Sequence, residues 1–383
     1  MSKLVFVVVM ALVAISGHFA SAQKNVIGYL GAWANYRPGN GKFTIEHINP
    51  KLLTHVIYSF FGANSDATIK HLDSWLDINL KSIARCIELK KQNPTLKVLA
   101  AVGGWNAGVH EFSAIAATPE LRTKFANEAV AFCKKFGFDG LDMDWEYPAN
   151  IERGGKPEDK QNFVLLMKEL YTKFKPANLT LTAAVAAPES IASVSYDIKQ
   201  LANNVDFINL MAYDFHTSVD GATGQNAPLK SANAGDKLNV QSSVEYWLKQ
   251  GLPPSKLNLG IPTYGRTFAV SKANQRGLGA RATGAGQSGP YTQEPGMLGY
   301  NEICEMKNDG KLTEIWDTNQ AVPYASNENL WVGFDNVKSI QEKCNYIKTK
   351  NLAGGMFWSL ETDDFLGKCG PKFGLISALK NCL

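Results

Sequence analysis

The sequence predicts a (β/α)8 barrel on three observations: eight short β-prone apolar runs, helical patterns between several of them, and one interval too long for a simple crossover. The runs are 26–33, 55–61, 97–104, 137–146, 179–186, 205–213, 257–264 and 352–360. Between them, 80–92, 119–136, 160–174 and 240–250 carry apolar residues at spacings of three and four, the period of a half-buried helix. Strand followed by helix, repeated, implies parallel strands joined by right-handed crossovers, and eight such units favour closure. An open doubly wound sheet is the alternative. The interval between the last two runs is the long one, and most of it, 266–331, is rich in Gly and Tyr. It reads as a small α+β insertion after the seventh strand.

Composition narrows the class. Residues 1–22 carry one charge, Lys3, then an apolar stretch and Ala20-Ser21-Ala22, the pattern of a cleaved secretory signal peptide. Secretion and a mature barrel over residues 23–383 are expected. Removing Lys3 takes the formal net charge from +4 to +3, too weak a balance to imply nucleic acid or an anionic membrane. With 45% hydrophobic and 19% charged residues the chain is globular, and a monomer is expected. The six cysteines, Cys86, Cys133, Cys304, Cys344, Cys369 and Cys382, lack C-x-x-C spacing, and the histidines lack H-E-x-x-H spacing. No metal and no cofactor is expected. Asn178-Leu179-Thr180 is a glycosylation sequon, which would put Asn178 at the surface. Gly277 to Ala282 mimics a dinucleotide fingerprint but follows no strand pattern, so it is read as loop.

The chemistry concentrates in the fourth run. Asp142, Asp144 and Glu146 recur at every second residue, so on a strand all three carboxylates leave one face, roughly 6.5 Å apart at successive positions. Mutual repulsion and burial should raise at least one pKa, as a proton donor near neutrality requires. A buried polar ladder neutralised by Arg or Lys, or half a calcium site, would use the same acids. Calcium fits poorly, because Trp145 and Tyr147 interleave where a glycine-bent loop would supply more oxygens. Other strand ends gather aromatic and polar residues: Tyr29 and Trp33, Phe60, Trp105, then Met211, Tyr213 and Asp214, then Arg266, then Trp358. Acids wrapped by aromatics describe a carbohydrate cleft.

Asp139-Gly-Leu-Asp-Met-Asp-Trp-Glu146 resembles the D-x-x-D-x-D-x-E signature of family 18 glycoside hydrolases, the chitinases. Further similar stretches run along the chain: Ala34 to Gly39, Gly103-Gly104-Trp105-Asn106, Leu210 to Phe215, Gly260 to Arg266, and Met356-Phe357-Trp358-Ser359. Single-domain, gut-type arthropod endochitinases look most similar, with no cysteine-rich chitin-binding module expected after Leu360. The resemblance implies a secreted endochitinase acting on β-1,4-linked N-acetylglucosamine in chitin and its oligosaccharides, with the substrate's acetamide as nucleophile. Glu146 would be the acid and later the base. Asp144 would hold the acetamide N–H, Asp142 would share its proton, and Tyr213 would donate to the acetamide oxygen.

Trp358 would floor the reacting sugar, with Trp33 and Trp105 stacking on either side. Tyr29, Phe60, Ala184, Met211, Asp214, Arg266 and Glu302 would line the groove, and Gly103, Gly104, Asn106 and Tyr147 join the binding set. Asp139, of the wrong strand parity, would brace the strand. Cys304 and Cys369 would form the family's late disulfide. Its early one is absent, with Gly28 and Leu53 in place of two cysteines, so apolar packing should hold the first strands. Cys86, Cys133, Cys344 and Cys382 stay unassigned between thiol and bridge. Two departures stand out: Val219 where many relatives have tryptophan, and Glu361-Thr362-Asp363-Asp364 in a usually acidic turn. The rival is a chitinase-like lectin or growth factor that binds without cleaving, a state typically reached by losing the acid. An endoglycosidase acting on N-glycans is a third reading, disfavoured because the insertion deepens a groove suited to linear polymers.

Overall fold

A computed structural model describes residues 23–270 and 276–383. The predicted signal peptide, residues 1–22, lies outside the described residues. The barrel is β1 (Asn25–Gly31), β2 (His55–Ala63), β3 (Lys97–Gly103), β4 (Gly140–Asp144), β5 (Thr180–Ala186), β6 (Phe207–Met211), β7 (Leu257–Pro262) and β8 (Gly354–Trp358). Each pairs in parallel with its neighbour in sequence, and β8 pairs with β1, so the sheet closes and these strands leave no free edge. This is the predicted closed barrel, and the doubly wound alternative falls.

Strand alternation makes two cores. Val26, Leu30, Val56, Tyr58, Val98, Val102, Leu141 and Met143 face outward, into the layer shared with the helices. Ile27, Tyr29, Ile57, Leu99, Ala101, Ala184 and Met356 face inward. The helix Pro119–Phe136 shows how local signals set its ends. Thr118 caps it by accepting from the Leu121 N–H, Pro119 occupies the first turn, and Gly137 stops it with a left-handed φ of 79°.

A second, antiparallel sheet grows out after β7 from strands Tyr264–Val270, Ala282–Ala285, Met297–Gly299, Thr313–Asp317, Val322–Ser326 and Leu330–Gly333, with the helix Tyr300–Asn308. The Cys304–Cys369 bridge ties that helix to the segment beyond β8, and a second bridge, Cys344–Cys382, fastens the C-terminal helix Gly374–Cys382. Cys86 and Cys133 are buried free thiols, their pKa values pushed up to about 12 by burial. At Gly28 an added Cβ would come within 2.4 Å of Leu360 Cδ2, so Leu360 fills that space and apolar packing joins β1 to the turn after β8.

The top of β3 shows why the Gly103-Gly104 pair is there. Gly103 has φ 123°, and a Cβ on it would lie 2.1 Å from the Asp144 carbonyl oxygen. Gly104 has φ 90°, donates its N–H to that same oxygen at 2.8 Å, and a Cβ on it would strike the Phe60 ring at 2.8 Å. The pair lets β3 close against the strand that carries the acids. Gly103→Ala is therefore expected to lower stability by about 2–3 kcal/mol, read as a lower urea midpoint at unchanged slope; an unshifted midpoint would show that the strand ends can part without cost.

Candidate active site

Parity places the three acids as the alternation demands. Asp142 and Asp144 are inside the barrel on β4, and Glu146 stands just past its end; they are 0%, 3% and 9% exposed. Asp139 lies outside the cleft, where its carboxylate accepts from the Val98 N–H and pairs with Lys90 and Lys97. It braces β3 against β4.

Asp142 is the best supported acid. Tyr29 donates to its Oδ2 at 2.6 Å, while Thr182 and Asn209 donate to Oδ1 at 2.5 and 3.2 Å. Asn209 also donates to the Tyr29 hydroxyl oxygen at 3.0 Å. Burial pushes the Asp142 pKa up to about 6, with these donors pulling the other way. Asp144 is pushed well above the usual carboxylate range by burial and by the charges of Glu146 and Asp142, and its buried Oδ1 has no hydrogen-bond partner among the described residues. Glu146 is raised to about 7, mainly by burial and further by Asp214, against the Tyr147 hydroxyl and the Arg153 cation. Asp144 and Glu146 titrate as a coupled pair, both raised above the usual carboxylate range.

An aromatic wall meets the ladder at Tyr29, the donor to Asp142. Trp358 lies 5.6 Å from Tyr29, 5.6 Å from Phe60 and 6.1 Å from Trp33, centroid to centroid, and Phe60 stacks on Trp33 at 6.1 Å and 15°. Trp33 and Trp105 are 43% and 58% exposed, open enough to take a flat ligand. Asn106 is exposed beside Trp105, Ala184 is buried in the barrel interior, and Met211 and Tyr213 are half-buried beside it. Burial and the neighbouring carboxylates keep the Tyr213 hydroxyl protonated, a donor at any ordinary pH. Arg266 grips Asp214 with Nε on Oδ1 and Nη2 on Oδ2, both at 2.6 Å, and the Tyr264 hydroxyl adds a third bond at 2.6 Å. That fork joins the loop after β6 to the second sheet.

Glu302 departs from its expected place on the groove. It is 1% exposed, and its carboxylate accepts from the backbone N–H groups of Tyr291, Thr292 and Gly299 and from the Thr292 hydroxyl. All its acceptor capacity goes to folding the insertion loop onto its helix, which leaves none for a sugar. Asn178 is exposed, in a turn before β5. Val219 is 89% exposed and stacks on no ring among the described residues.

Sequence reasoning missed Thr182, Asn209 and Arg153. Asn209 was visible as a lone amide within an apolar strand. The Arg153 guanidinium lies 3.5 Å from the Trp105 ring centroid and donates to its backbone oxygen, so one residue covers a face of the platform and lends positive charge to the acid. Removing that charge disfavours the carboxylate, so the Glu146 pKa rises and the protonated form persists to higher pH. Arg153→Ala should thus move the alkaline limb of the kcat/KM profile upward by about half a unit to one unit, and a limb that stays or moves down would exclude the coupling.

The family model for glycosyl hydrolases family 18 matches residues 25–363. Probable chitinase 2 of Drosophila melanogaster is 42% identical over 361 residues, which cover 91% of this chain and 74% of that protein. The group IV chitinase of Ostrinia furnacalis, solved in complex with allosamidin, superposes with a TM-score of 0.91 at 42% identity, over 94% of this chain and 98% of that one. Human YKL-39, a pseudo-chitinase with retained chitooligosaccharide-binding properties, superposes with a TM-score of 0.87 at 35% identity, over 94% and 99%.

Proposed function

This chain belongs to glycosyl hydrolases family 18 as an enzyme of the chitinase type, and from that we propose a secreted, monomeric endochitinase that cuts β-1,4 bonds between N-acetylglucosamine units by a substrate-assisted, retaining route. One observation carries the reading: a buried ladder of three acids whose outermost member, Glu146, has its pKa raised to about 7 and whose innermost member, Asp142, accepts from Tyr29 of an aromatic wall. A general acid working near neutrality needs that value. The sugar ring stacks on Trp358, with Trp33 and Trp105 as platforms for its neighbours, and Asn106, Tyr147, Met211 and the Asp214–Arg266 fork contribute to the groove.

In the first step the Glu146 proton passes to the glycosidic oxygen as the bond to the anomeric carbon breaks. The acetamide carbonyl oxygen forms a new bond to that carbon, and an oxazolinium results. Asp144, its proton passed to Asp142, accepts from the acetamide N–H and as a carboxylate stabilises the developing positive charge. Asp142 shares protonation with Asp144 and is held ready by Tyr29, Thr182 and Asn209. Tyr213 donates to the acetamide oxygen. Glu146, now a carboxylate, deprotonates the incoming water, which attacks the same carbon and restores the acetamide. The two disulfides and the leader-like residues 1–22 support an oxidising, extracellular setting, with Asn178 available to a glycan.

Glu146→Gln should keep the fold and oligosaccharide binding while turnover of chitin oligomers falls by about 10²–10⁴-fold; near-normal hydrolysis would remove Glu146 from the role. The same preparation, binding without product, is what the lectin reading predicts for the unsubstituted chain. Fully deacetylated oligomers of equal length should be inert, and NMR of fresh products from acetylated ones should show the β anomer first. An α product would eliminate the acetamide as nucleophile.

A further inference from the structure

We infer that Glu361 is a positioning residue for the groove: its buried carboxylate fastens the end of β1, which leads into the turn carrying Trp33, to Ser359, which directly follows Trp358. The inference rests on reading the aromatic wall as the sugar-binding surface. Glu361 is 1% exposed, so its two oxygens need partners. Oε2 accepts from the Gly31 N–H at 3.0 Å, and Oε1 accepts from the Ser359 hydroxyl at 2.6 Å. Gly31 ends β1, and Trp33 follows two residues on, in the turn Ala32–Tyr36; Ser359 directly follows Trp358 at the end of β8.

Both partners lie where the sheet no longer does this work. The paired positions of β1 and β8 run from Asn25 with Gly354 to Gly28 with Phe357 and then stop. Above that level the strands diverge, and the Glu361 carboxylate spans the gap. The fit is close: a Cβ on Gly31 would lie 2.3 Å from Glu361 Oε1 and 2.8 Å from Trp33 Cζ2, so carboxylate and indole share the space that this glycine leaves. From the other side, Thr263 accepts from the Ser359 N–H at 2.8 Å and donates to its carbonyl at 2.6 Å. The Ser359 turn is thus pinned to β7 by Thr263 and to β1 by Glu361. The two indoles meet above this latch, 6.1 Å apart at 37°. A flat sugar face senses ring tilt directly, because stacking depends on offset and angle. The role is one of holding geometry rather than of touching substrate, and it should show in affinity.

The test measures the dissociation constant of chitin hexamer by calorimetry in the Glu146→Gln background, with the melting temperature followed in parallel. Glu361→Leu keeps bulk but removes both acceptors and should weaken hexamer binding about tenfold. Glu361→Gln can accept from Gly31 and donate to the Ser359 oxygen, and should stay within about twofold of the parent. Ser359→Ala cuts the Trp358 side alone and should weaken binding about threefold, which decides the matter if Glu361→Leu does not fold. Unchanged hexamer affinity in Glu361→Leu and Ser359→Ala, whatever their melting temperatures, overturns the assignment, as does a Gln variant as weak as the Leu one. If the unsubstituted chain binds hexamer but releases no product, the enzyme reading fails and the positioning role stands to be judged on affinity alone. If it neither binds nor cleaves, both readings fall.

Discussion

Everything at the top of the barrel answers to one constraint: three carboxylates, two on one inner strand face of a closed sheet and one just past its end, lie almost out of water. Such charges cannot all persist in a low-dielectric space without a large desolvation penalty. The structure resolves this unevenly along the ladder. The innermost acid receives three neutral donors, whereas Asp144 and Glu146 are relieved mainly by keeping protons. The acid with the most hydrogen-bond donors thus lies at the bottom and the coupled pair above it, with Glu146 nearest the mouth, where a proton can be delivered to a bound ligand.

That arrangement costs stability at neutral pH. Asp142 and Glu146 have native pKa values raised to about 6 and about 7, and Asp144 is raised as well, all above the values of an unfolded chain. Between pH 4 and 7 the native state therefore binds more protons than the unfolded one, and its stability from these groups falls as pH rises through that window. The fold offsets this elsewhere, through barrel closure, two disulfides and the apolar layer beneath the helices. An active site that opposes its own fold is the usual sign of selection on chemistry rather than on packing.

Most of the architecture was legible because it depends on short-range pattern. The eight strands, the insertion after the seventh, and both ends of the helix Pro119–Phe136 follow from periodicity, caps and glycines within a few residues of each element. The parity of Asp142 and Asp144 needed nothing beyond a strand, and Glu146 lies just past its end. What escaped depends on closure. Thr182 meets Asp142 across 40 residues and Arg153 meets Trp105 across 48, contacts that exist only once the strand order is known. The Cys344–Cys382 bridge likewise depends on the packing of the helices Val337–Thr349 and Gly374–Cys382, which spacing does not encode. Glu302 was misplaced for a related reason: an acid at the start of a helix is a good backbone cap, and local capping claimed it before any ligand could.

The separation of wall from acid also explains how one scaffold can host both catalysts and a pseudo-chitinase that still binds chitooligosaccharides. The stacking rings come from β1, β2, β8 and the turn after β3, whereas the proton donor sits at the end of β4. A change at Glu146, which bonds to none of these rings among the described residues, leaves the rings, their spacing and the buried contacts beneath them in place. The converse does not hold. Tyr29 packs against Trp358 and also donates to Asp142, so disturbing the wall at that point strips a donor from the innermost acid. Protonation along the ladder then shifts, because the Asp142 charge acts on Asp144 and Asp144 is coupled to Glu146. The geometry of the rings is thus the more robust feature of this barrel and the protonation of the ladder the more fragile, a consequence of which strands carry which groups.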